Sequence, residues 1–280
     1  MKRVVVILAA VLAVMGNLGA AHADPDVDYV NLGDRYSAGS GNLPLARGFD
    51  PRCLQSARNW AHDIAIAKGY RLTDVSCGGA QTKDFTGSQY DGVAPQLDAL
   101  SADTDLVTFT IGGNDNGTLL NVAGKCGAAA ISHLGLGNPC EKKYGDSFAE
   151  TIRTSTYANL VAAFTAVKAK APNARIVAAN YLWLIPPTRG CFPVMPLARG
   201  DIPYLRGIQQ TLSDAIERAA DDTGIEFLDF SEVSEGRDAC QRADVRWVEP
   251  VLVPKLAVIH PNVKGEAGMA QHAIDALGLE

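Results

Sequence analysis

Residues 30–41 read VNLGDRYSAGSG, a short apolar run that is followed by a Gly-Asp turn and then by small and polar residues. An apolar run that is closed by turn residues predicts a buried strand. If that strand belongs to an open parallel sheet, a ligand binds just beyond its carboxyl end. The residue at this place is Arg35, so one side chain decides which chemistry the site can support.

Apolar runs bounded by turn residues alternate along the chain with segments of helical period. This alternation is typical of βαβ units and predicts an α/β fold with a mainly parallel central sheet. The strands are predicted at residues 28–32, 72–76, 105–111, 175–180 and 225–229. Helices are predicted at residues 56–68, 147–170, 204–222 and 265–277.

Two segments interrupt this alternation: residues 116–146, which are rich in glycine, and residues 186–203, which contain five prolines. Loops of this length in a compact domain are usually functional. Each segment also contains cysteine, so we predict two ordered loops that form walls of a binding site.

The first 23 residues resemble an export signal, with Lys2 and Arg3 ahead of an apolar run and Ala21-His22-Ala23 as a cleavage motif. The competing interpretation is a membrane anchor, but the apolar run is shorter than the roughly 20 residues that a spanning helix requires. We therefore expect no transmembrane segment, cleavage near Ala23, and a secreted single domain over residues 24–280.

The chain has 25 Lys and Arg residues against 31 Asp and Glu residues, for a net charge of −6. Nucleic-acid binding requires concentrated positive charge, and no basic cluster follows the signal. We therefore expect no nucleic-acid partner.

An even number of cysteines in a chain with an export signal predicts disulfides. No two of them form a CxxC pair, and their long, irregular spacings argue against zinc. We expect no metal and no cofactor. The residues alone allow 15 pairings among Cys53, Cys77, Cys126, Cys140, Cys191 and Cys240.

Glycine turns follow the first three predicted strands at Gly33, Gly78-Gly79 and Gly112-Gly113. Any one of them alone is explained by a turn that needs positive φ. Together they suggest more, because Asn114 follows the third turn. A free backbone N–H from a glycine turn and the Asn114 amide, aimed at one point, would form an oxyanion hole.

A histidine in a rigid loop near the C-terminus, His260, precedes Pro261 and the last predicted helix. Such a histidine at the edge of a sheet is a candidate general base. The remaining histidines outside the signal lie in helix or loop positions that are typical of surface or packing roles: His62, His133 and His272.

These residues resemble the short motifs of the SGNH, or GDSL-type, hydrolases, and in particular of the secreted actinobacterial lipases and esterases. The matching blocks occur in the family's order and span nearly the whole mature chain: Gly33-Asp34-Arg35, Gly79, Gly112-Gly113-Asn114-Asp115 and His260. The resemblance implies a three-layer α/β/α, flavodoxin-like fold. It also implies hydrolysis of a small-molecule or lipid acyl ester, and we expect a monomer.

The resemblance assigns roles to individual residues. Oxyanion donors would be the backbone N–H of residue 35, Gly79 and the Asn114 side chain, and His260 would be the base. Many members have an aspartate three residues before that histidine, where this chain has Ala257. In the secreted branch a backbone carbonyl at this position orients the imidazole, although it stabilises the imidazolium less than a carboxylate does.

The same branch pairs its cysteines in sequence order. The resemblance therefore implies the pairs Cys53–Cys77, Cys126–Cys140 and Cys191–Cys240.

The chain departs from the family at the nucleophile, where Arg35 replaces the serine of Gly-Asp-Ser. A guanidinium stays protonated and is no nucleophile. Loss of the serine in well-studied serine hydrolases lowers kcat by about 10⁶, so we expect impaired or abolished catalysis. Ser37 is a poor substitute, because a side chain two residues further on leaves the turn in another direction.

Three explanations of Arg35 remain. In the first, Arg35 is a mutation in an ordinary hydrolase. In the second, it marks a catalytically dead exported protein that binds an anion or lipid. In the third, the arginine side chain swings out of the pocket and His260 activates a water molecule. The first two explanations are favoured, because hydrolysis by water that one histidine positions lacks the covalent step of the serine mechanism. If Arg35 lies in the pocket, its charge should lower the pKa of His260. A purely structural role is a weaker alternative.

Overall fold

The computed structural model describes residues 27–48, 50–253 and 258–280. The predicted export signal and Ala257 lie outside these ranges. Within them, no helix combines the length and the apolar character that crossing a bilayer would need.

Five parallel strands form one sheet in the order β2-β1-β3-β4-β5. All of them overlap the predicted ranges, and the order is flavodoxin-like. Strand order reverses between β1 and β3, which is where an open α/β sheet binds its ligands. The strands are β1 (Asp28–Gly33), β2 (Arg71–Asp74), β3 (Leu106–Thr110), β4 (Arg175–Ala179) and β5 (Glu226–Leu228).

Helices cover both faces of the sheet, which confirms the three-layer α/β/α architecture. Helix α2 packs on α10, and α7 packs on α8. The central strand β3 is buried along its whole length, as expected for a strand that is covered on both faces. The helices are α1 (Arg35–Ala38), α2 (Trp60–Lys68), α3 (Thr118–Asn121), α4 (Gly127–Ser132), α5 (Pro139–Tyr144), α6 (Ser147–Thr151), α7 (Tyr157–Lys170), α8 (Ile202–Thr223), α9 (Ser231–Ser234) and α10 (Val263–Leu277).

Local signals explain where the long helices begin and end. Asn59 caps α2 by accepting a hydrogen bond from the backbone N–H of His62, and Asn262 caps α10 in the same way. Helix α8 begins two residues earlier than predicted, because Pro203 is well tolerated in a first helical turn. It ends at Gly224, which has φ +64°.

The prediction of a long loop over residues 116–146 was wrong. This segment contains α3, a π-helical turn at Val122–Cys126, α4 and α5. Each piece is about one turn long, too short for a helical period to be visible in the sequence. A second π-helical turn, Ile152–Thr156, divides the predicted helix at residues 147–170. Residues 186–198 do lack helices and strands, as predicted.

All six cysteines form disulfides, and the sequential pairing that the resemblance implied is confirmed. The bonds join Cys53 to Cys77, Cys126 to Cys140 and Cys191 to Cys240. The second bond holds the short helices of residues 118–144 together. The third fixes the proline-rich segment against the loop after α9.

Candidate active site

Strand β1 ends at Gly33, where only glycine fits. Its φ is +112°, and a Cβ built there would lie 2.4 Å from the carbonyl oxygen of Thr110. The Gln96 side chain accepts a hydrogen bond from the Gly33 N–H at 2.6 Å and donates one to its carbonyl at 3.0 Å. The turn that positions residues 34 and 35 is therefore held on both sides.

Asp34 caps the short helix α1 from a fully buried position. Its carboxylate accepts hydrogen bonds from the Tyr36 N–H at 3.0 Å, from the Thr110 hydroxyl at 2.9 Å and from the Tyr181 hydroxyl at 2.7 Å. Burial raises the pKa of Asp34 to about 6, although these hydrogen bonds and the charge of Arg35 act in the opposite direction. The carboxylate thus fixes the start of α1, and with it residue 35.

The guanidinium of Arg35 lies beside Gly79. A Cβ built on Gly79 would be 3.7 Å from Nη2 of Arg35 and 4.0 Å from its Nε. Arg35 is partly buried and lines one cavity together with Asn114 and His260. Within the described ranges it forms no ion pair with a carboxylate. The structure therefore brings together the residues that the sequence placed at one sheet edge.

The loop that carries Gly79 is braced by the first disulfide. The Gly78 N–H donates to the Cys53 carbonyl at 2.8 Å, and Gln89 donates to the Gly78 carbonyl at 2.9 Å. Gly79 itself has φ +85°. Because the loop is held on both sides, its backbone N–H has a fixed direction.

Asn114 is tied to the same loop. Its amide nitrogen donates one hydrogen bond to the Ala80 carbonyl at 3.0 Å, which leaves a second N–H on this nitrogen. The neighbouring Asp115 accepts hydrogen bonds from the Thr82 N–H at 2.9 Å and from Asn159 at 3.1 Å. The two loops with candidate oxyanion donors are thus joined to each other and to α7.

His260 lies in the same cavity. Its ring as a whole is partly exposed, but Nδ1 is buried and has no hydrogen-bond partner of good geometry among the described residues. Burial and then the Arg35 charge lower the pKa of His260 to about 4, while the Val258 backbone acts in the opposite direction. The predicted effect of Arg35 is confirmed in direction, and the imidazole is neutral at pH 7.

Replacing Arg35 by serine should raise the pKa of His260, because a like charge is removed. The pKa should stay below 6.5, because burial is the larger cause and persists. An NMR titration of the His260 ring in both chains measures this. Identical titration curves would show that the guanidinium does not act on the imidazole.

Ser37 faces the sheet instead of the cavity. It is fully buried, its hydroxyl accepts a hydrogen bond from the Thr110 N–H at 2.8 Å, and it is not among the cavity residues. This agrees with the expectation that Ser37 does not replace the nucleophile. Asp34 caps α1, and Ser37 instead links α1 to β3.

Two tyrosines of the site were missed in the sequence. The Tyr181 hydroxyl accepts from the Gly113 N–H at 3.0 Å and donates to Asp34, so it joins the turn after β3 to the turn after β1. Tyr36 packs edge-on against Tyr181 at 5.0 Å between ring centroids and lies 6.0 Å from the His260 ring. The only available signal was the position of Tyr181 just after β4.

The other three histidines outside the signal contact polar or backbone groups and do not line the active-site cavity. His62 contacts Asn59, His133 contacts the Ala129 carbonyl, and His272 contacts the Asp229 carbonyl. No group of three or more His, Cys, Asp or Glu side chains in the described ranges is arranged to hold a metal ion.

The cavity has a volume of about 410 Å³ and mainly apolar walls. Both segments that interrupt the predicted alternation contribute to it, as predicted. The lining residues from them are Leu119, Val122, Ala123, Met195, Pro196 and Leu197. Helix α8 closes the far end with Leu205 and Ile208. The volume falls within the 300–1,000 Å³ that is usual for sites of small molecules.

A flavodoxin-like sheet with candidate oxyanion donors, a histidine and an apolar cavity at its carboxyl edge defines an α/β scaffold of the ester-hydrolase class. Residues 31–267 match the GDSL-like Lipase/Acylhydrolase family, and the chain belongs to this family.

Individual relatives and solved structures are consistent with this family assignment. The chain is 52% identical over 266 residues to Lipase 2 of Streptomyces coelicolor, an alignment that covers 93% of this chain and 89% of that protein. The crystal structure of an extracellular lipase from Streptomyces rimosus superposes with a TM-score of 0.70 at 25% identity and covers 89% and 99% of the two chains. Phospholipase A1 from Streptomyces albidoflavus shares the fold, with a TM-score of 0.73, 24% identity and coverage of 89% and 98%.

Proposed function

We propose that this chain is a secreted, monomeric acyl-ester hydrolase scaffold of residues 24–280 whose catalysis is impaired or abolished at Arg35. The observation that carries the proposal is the guanidinium of Arg35 beside Gly79, in a cavity that also contains Asn114 and His260. The proposal is supported by Gly79 beside the guanidinium and by Asn114 and His260 in the cavity, the residues to which the resemblance assigns oxyanion donors and the base.

With serine at position 35, the site supports acyl transfer. The hydroxyl oxygen attacks the ester carbonyl carbon while His260 takes its proton, and the alcohol leaves after His260 returns that proton. The negative charge on the carbonyl oxygen is stabilised by the N–H groups of residues 35 and 79 and by the Asn114 amide. The carbonyl of Ala257 is proposed to orient the imidazole.

Arg35 blocks this sequence in two ways. A protonated guanidinium has no lone pair that can attack a carbonyl carbon. Its side chain also occupies space in the cavity beside Gly79, with Nη2 3.7 Å from a Cβ built on that glycine. The lowered pKa of His260 further weakens this residue as a base.

The substrate class follows from the cavity. Mainly apolar walls around a short line of polar donors fit an acyl chain with an ester at its end. The relationship to Lipase 2 of Streptomyces coelicolor supports a lipid or short-chain ester. Three disulfides support secretion, since such bonds persist in oxidising compartments.

The test is hydrolysis of a chromogenic acyl ester by the chain itself, by Arg35→Ser and by Arg35→Ala. The alanine variant removes the guanidinium without adding a nucleophile, so it is the matched control. The proposal requires that the serine variant alone gains strong activity.

A second candidate function rests on the unpaired charge of Arg35. A partly buried guanidinium without a carboxylate partner in the described ranges, at the polar end of an apolar cavity, suits the carboxylate of a fatty acid. Asn114 would supply a further donor, and the neutral His260 would not compete for the anion. In this case the former active site binds a lipid anion without turnover.

This candidate predicts that the chain binds dodecanoate and that Arg35→Gln weakens the binding roughly 10- to 100-fold, since a hydrogen bond to a charged group contributes about 1.5–3 kcal/mol. Calorimetric titration measures both affinities. Dodecanol, which has no carboxylate, should bind both chains equally. Equal dodecanoate affinities for the two chains would exclude Arg35 as the anion site.

A further inference from the structure

An exposed apolar patch lies on one side of the molecule. Five of the eleven large apolar side chains that are exposed in the described ranges belong to it: Ile131 (60% exposed), Leu134 (77%), Leu136 (59%), Val194 (39%) and Leu252 (60%). They come from three segments that touch. The turn at Gly135 lies against the Phe192 ring, and the Leu252 N–H donates to the Val194 carbonyl at 3.0 Å.

The patch is rigidly supported. Cys126–Cys140 closes the segment that carries Ile131, Leu134 and Leu136. Cys191–Cys240 holds the segment that carries Val194. The Gly135 carbonyl also accepts a hydrogen bond from the Arg199 N–H at 2.9 Å. Little conformational entropy would therefore be lost if the patch were covered.

The patch adjoins the active-site cavity. Val194 is exposed while the next residue, Met195, is buried in the cavity wall, and Leu252 is exposed beside Val251 of the same wall. A surface that covers the patch would therefore lie beside this wall of the cavity.

A second cavity, of about 510 Å³, lies next to the patch and has a basic lining. Lys125, His133 and Lys143 contribute to it, together with Tyr144. One helical turn separates the two cavities: in Val122–Cys126, the first two residues line the active-site cavity, and Lys125 lines the basic one.

The lysines of this cavity keep their charge available. The Lys125 ammonium lies 5.7 Å from the centroid of the Tyr144 ring, and the Lys143 ammonium lies 5.3 Å from it. Within the described ranges neither forms an ion pair with a carboxylate. In a chain of net charge −6, a local positive site would orient the molecule toward an anionic surface.

We propose that the apolar patch and the basic cavity together dock this protein on an anionic lipid surface. The aliphatic side chains enter the boundary between head groups and acyl chains, while Lys125 and Lys143 contact the anionic head groups. A lipid chain could then reach the active-site cavity with little exposure to water. The inference goes beyond the proposed function, because docking requires no nucleophile at position 35.

The composition of the patch favours a lipid surface over a protein partner. Its exposed members are all aliphatic, whereas energetically dominant residues of protein interfaces are enriched in Trp, Tyr and Arg. The lysines beside it supply the charge complementarity that an anionic membrane requires.

The test is flotation of the full chain with vesicles of phosphatidylcholine alone, and of phosphatidylcholine and phosphatidylglycerol in equal parts. Binding should be tighter to the anionic vesicles, and salt should weaken this preference, since the screening length falls from about 10 Å at 0.1 M to about 3 Å at 1 M. Two double variants separate the contributions. Leu134→Asn with Leu136→Ser should lower binding to both vesicles roughly tenfold or more; asparagine suits the positive φ of +53° at Leu134.

Lys125→Gln with Lys143→Gln should lower binding to the anionic vesicles on the order of tenfold and leave the neutral vesicles unaffected. Ile66→Ser is the control for the leucines, because Ile66 is 75% exposed on α2, outside the patch. Lys83→Gln with Lys170→Gln is the control for charge. Absence of vesicle binding by the parent chain, or equal losses in the patch variants and their controls, would overturn the proposal.

Discussion

Arg35→Ser should raise the kcat for a chromogenic acyl ester by between about 10³ and 10⁶. The upper value is the loss measured when the serine of a well-studied serine hydrolase is removed. The lower value allows for the absence of a carboxylate three residues before His260, since a carbonyl stabilises the imidazolium less. The expected gain rests on the proposal that Gly79, beside Arg35, and Asn114 and His260, which line the cavity, act as donors and base.

The size of this gain depends on a serine hydroxyl at the first position of α1. Asp34 holds that position through three hydrogen bonds, none of which involves the side chain of residue 35. The substitution should therefore leave the turn unchanged. Adding His260→Ala to the serine variant should remove most of the gain, because the hydroxyl loses its base.

Arg35→Ala distinguishes the remaining explanations. If it matches Arg35→Ser, attack by water that His260 activates would account for the activity, and the covalent mechanism would be wrong. If all three chains are inert while the parent chain binds dodecanoate, the lipid-binding candidate is favoured. A gain by serine alone indicates a hydrolase site with a single lesion.

The sheet was predictable chiefly from the buried strands β1 and β3, which are apolar runs between turn residues. Their parallel arrangement follows from the alternation with helices, whereas the flavodoxin-like fold was implied by the family resemblance. The base was predictable from the Pro-followed loop before the last helix, and the candidate donors for a reason that lies in the sheet. In a parallel sheet, residues that follow successive strands meet at one edge, whatever their separation in sequence.

Other features depend on contacts that leave no local signal. The hydrogen bonds from Tyr181 to Asp34 and from Gly113 to Tyr181 connect residues far apart in the chain. The short helices of residues 118–144 are stabilised by the Cys126–Cys140 bond and by tertiary packing, because isolated helices of one turn are unstable. These helices lie between the apolar active-site cavity and the basic cavity, and this arrangement is visible only in the three-dimensional structure.

The second large effect is expected at Asn114. In the Arg35→Ser chain, Asn114→Ala should lower kcat by about 10² to 10³, the cost of removing one oxyanion donor. The donor is preorganised, because its hydrogen bond to the Ala80 carbonyl at 3.0 Å fixes the amide and directs the second N–H. KM should change far less than kcat, since the oxyanion carries its full charge only in the transition state.

Asn173→Ala in the same serine background is the control, because this exposed amide bonds to the Ala102 carbonyl away from the cavity. Steady-state kinetics with one soluble ester measures both variants. Equal kcat values for Asn114→Ala and its parent would remove Asn114 from the proposed oxyanion hole. A rise in KM without a fall in kcat would instead make Asn114 a substrate-binding residue. The variant would then have lost binding that is equal in the ground state and the transition state.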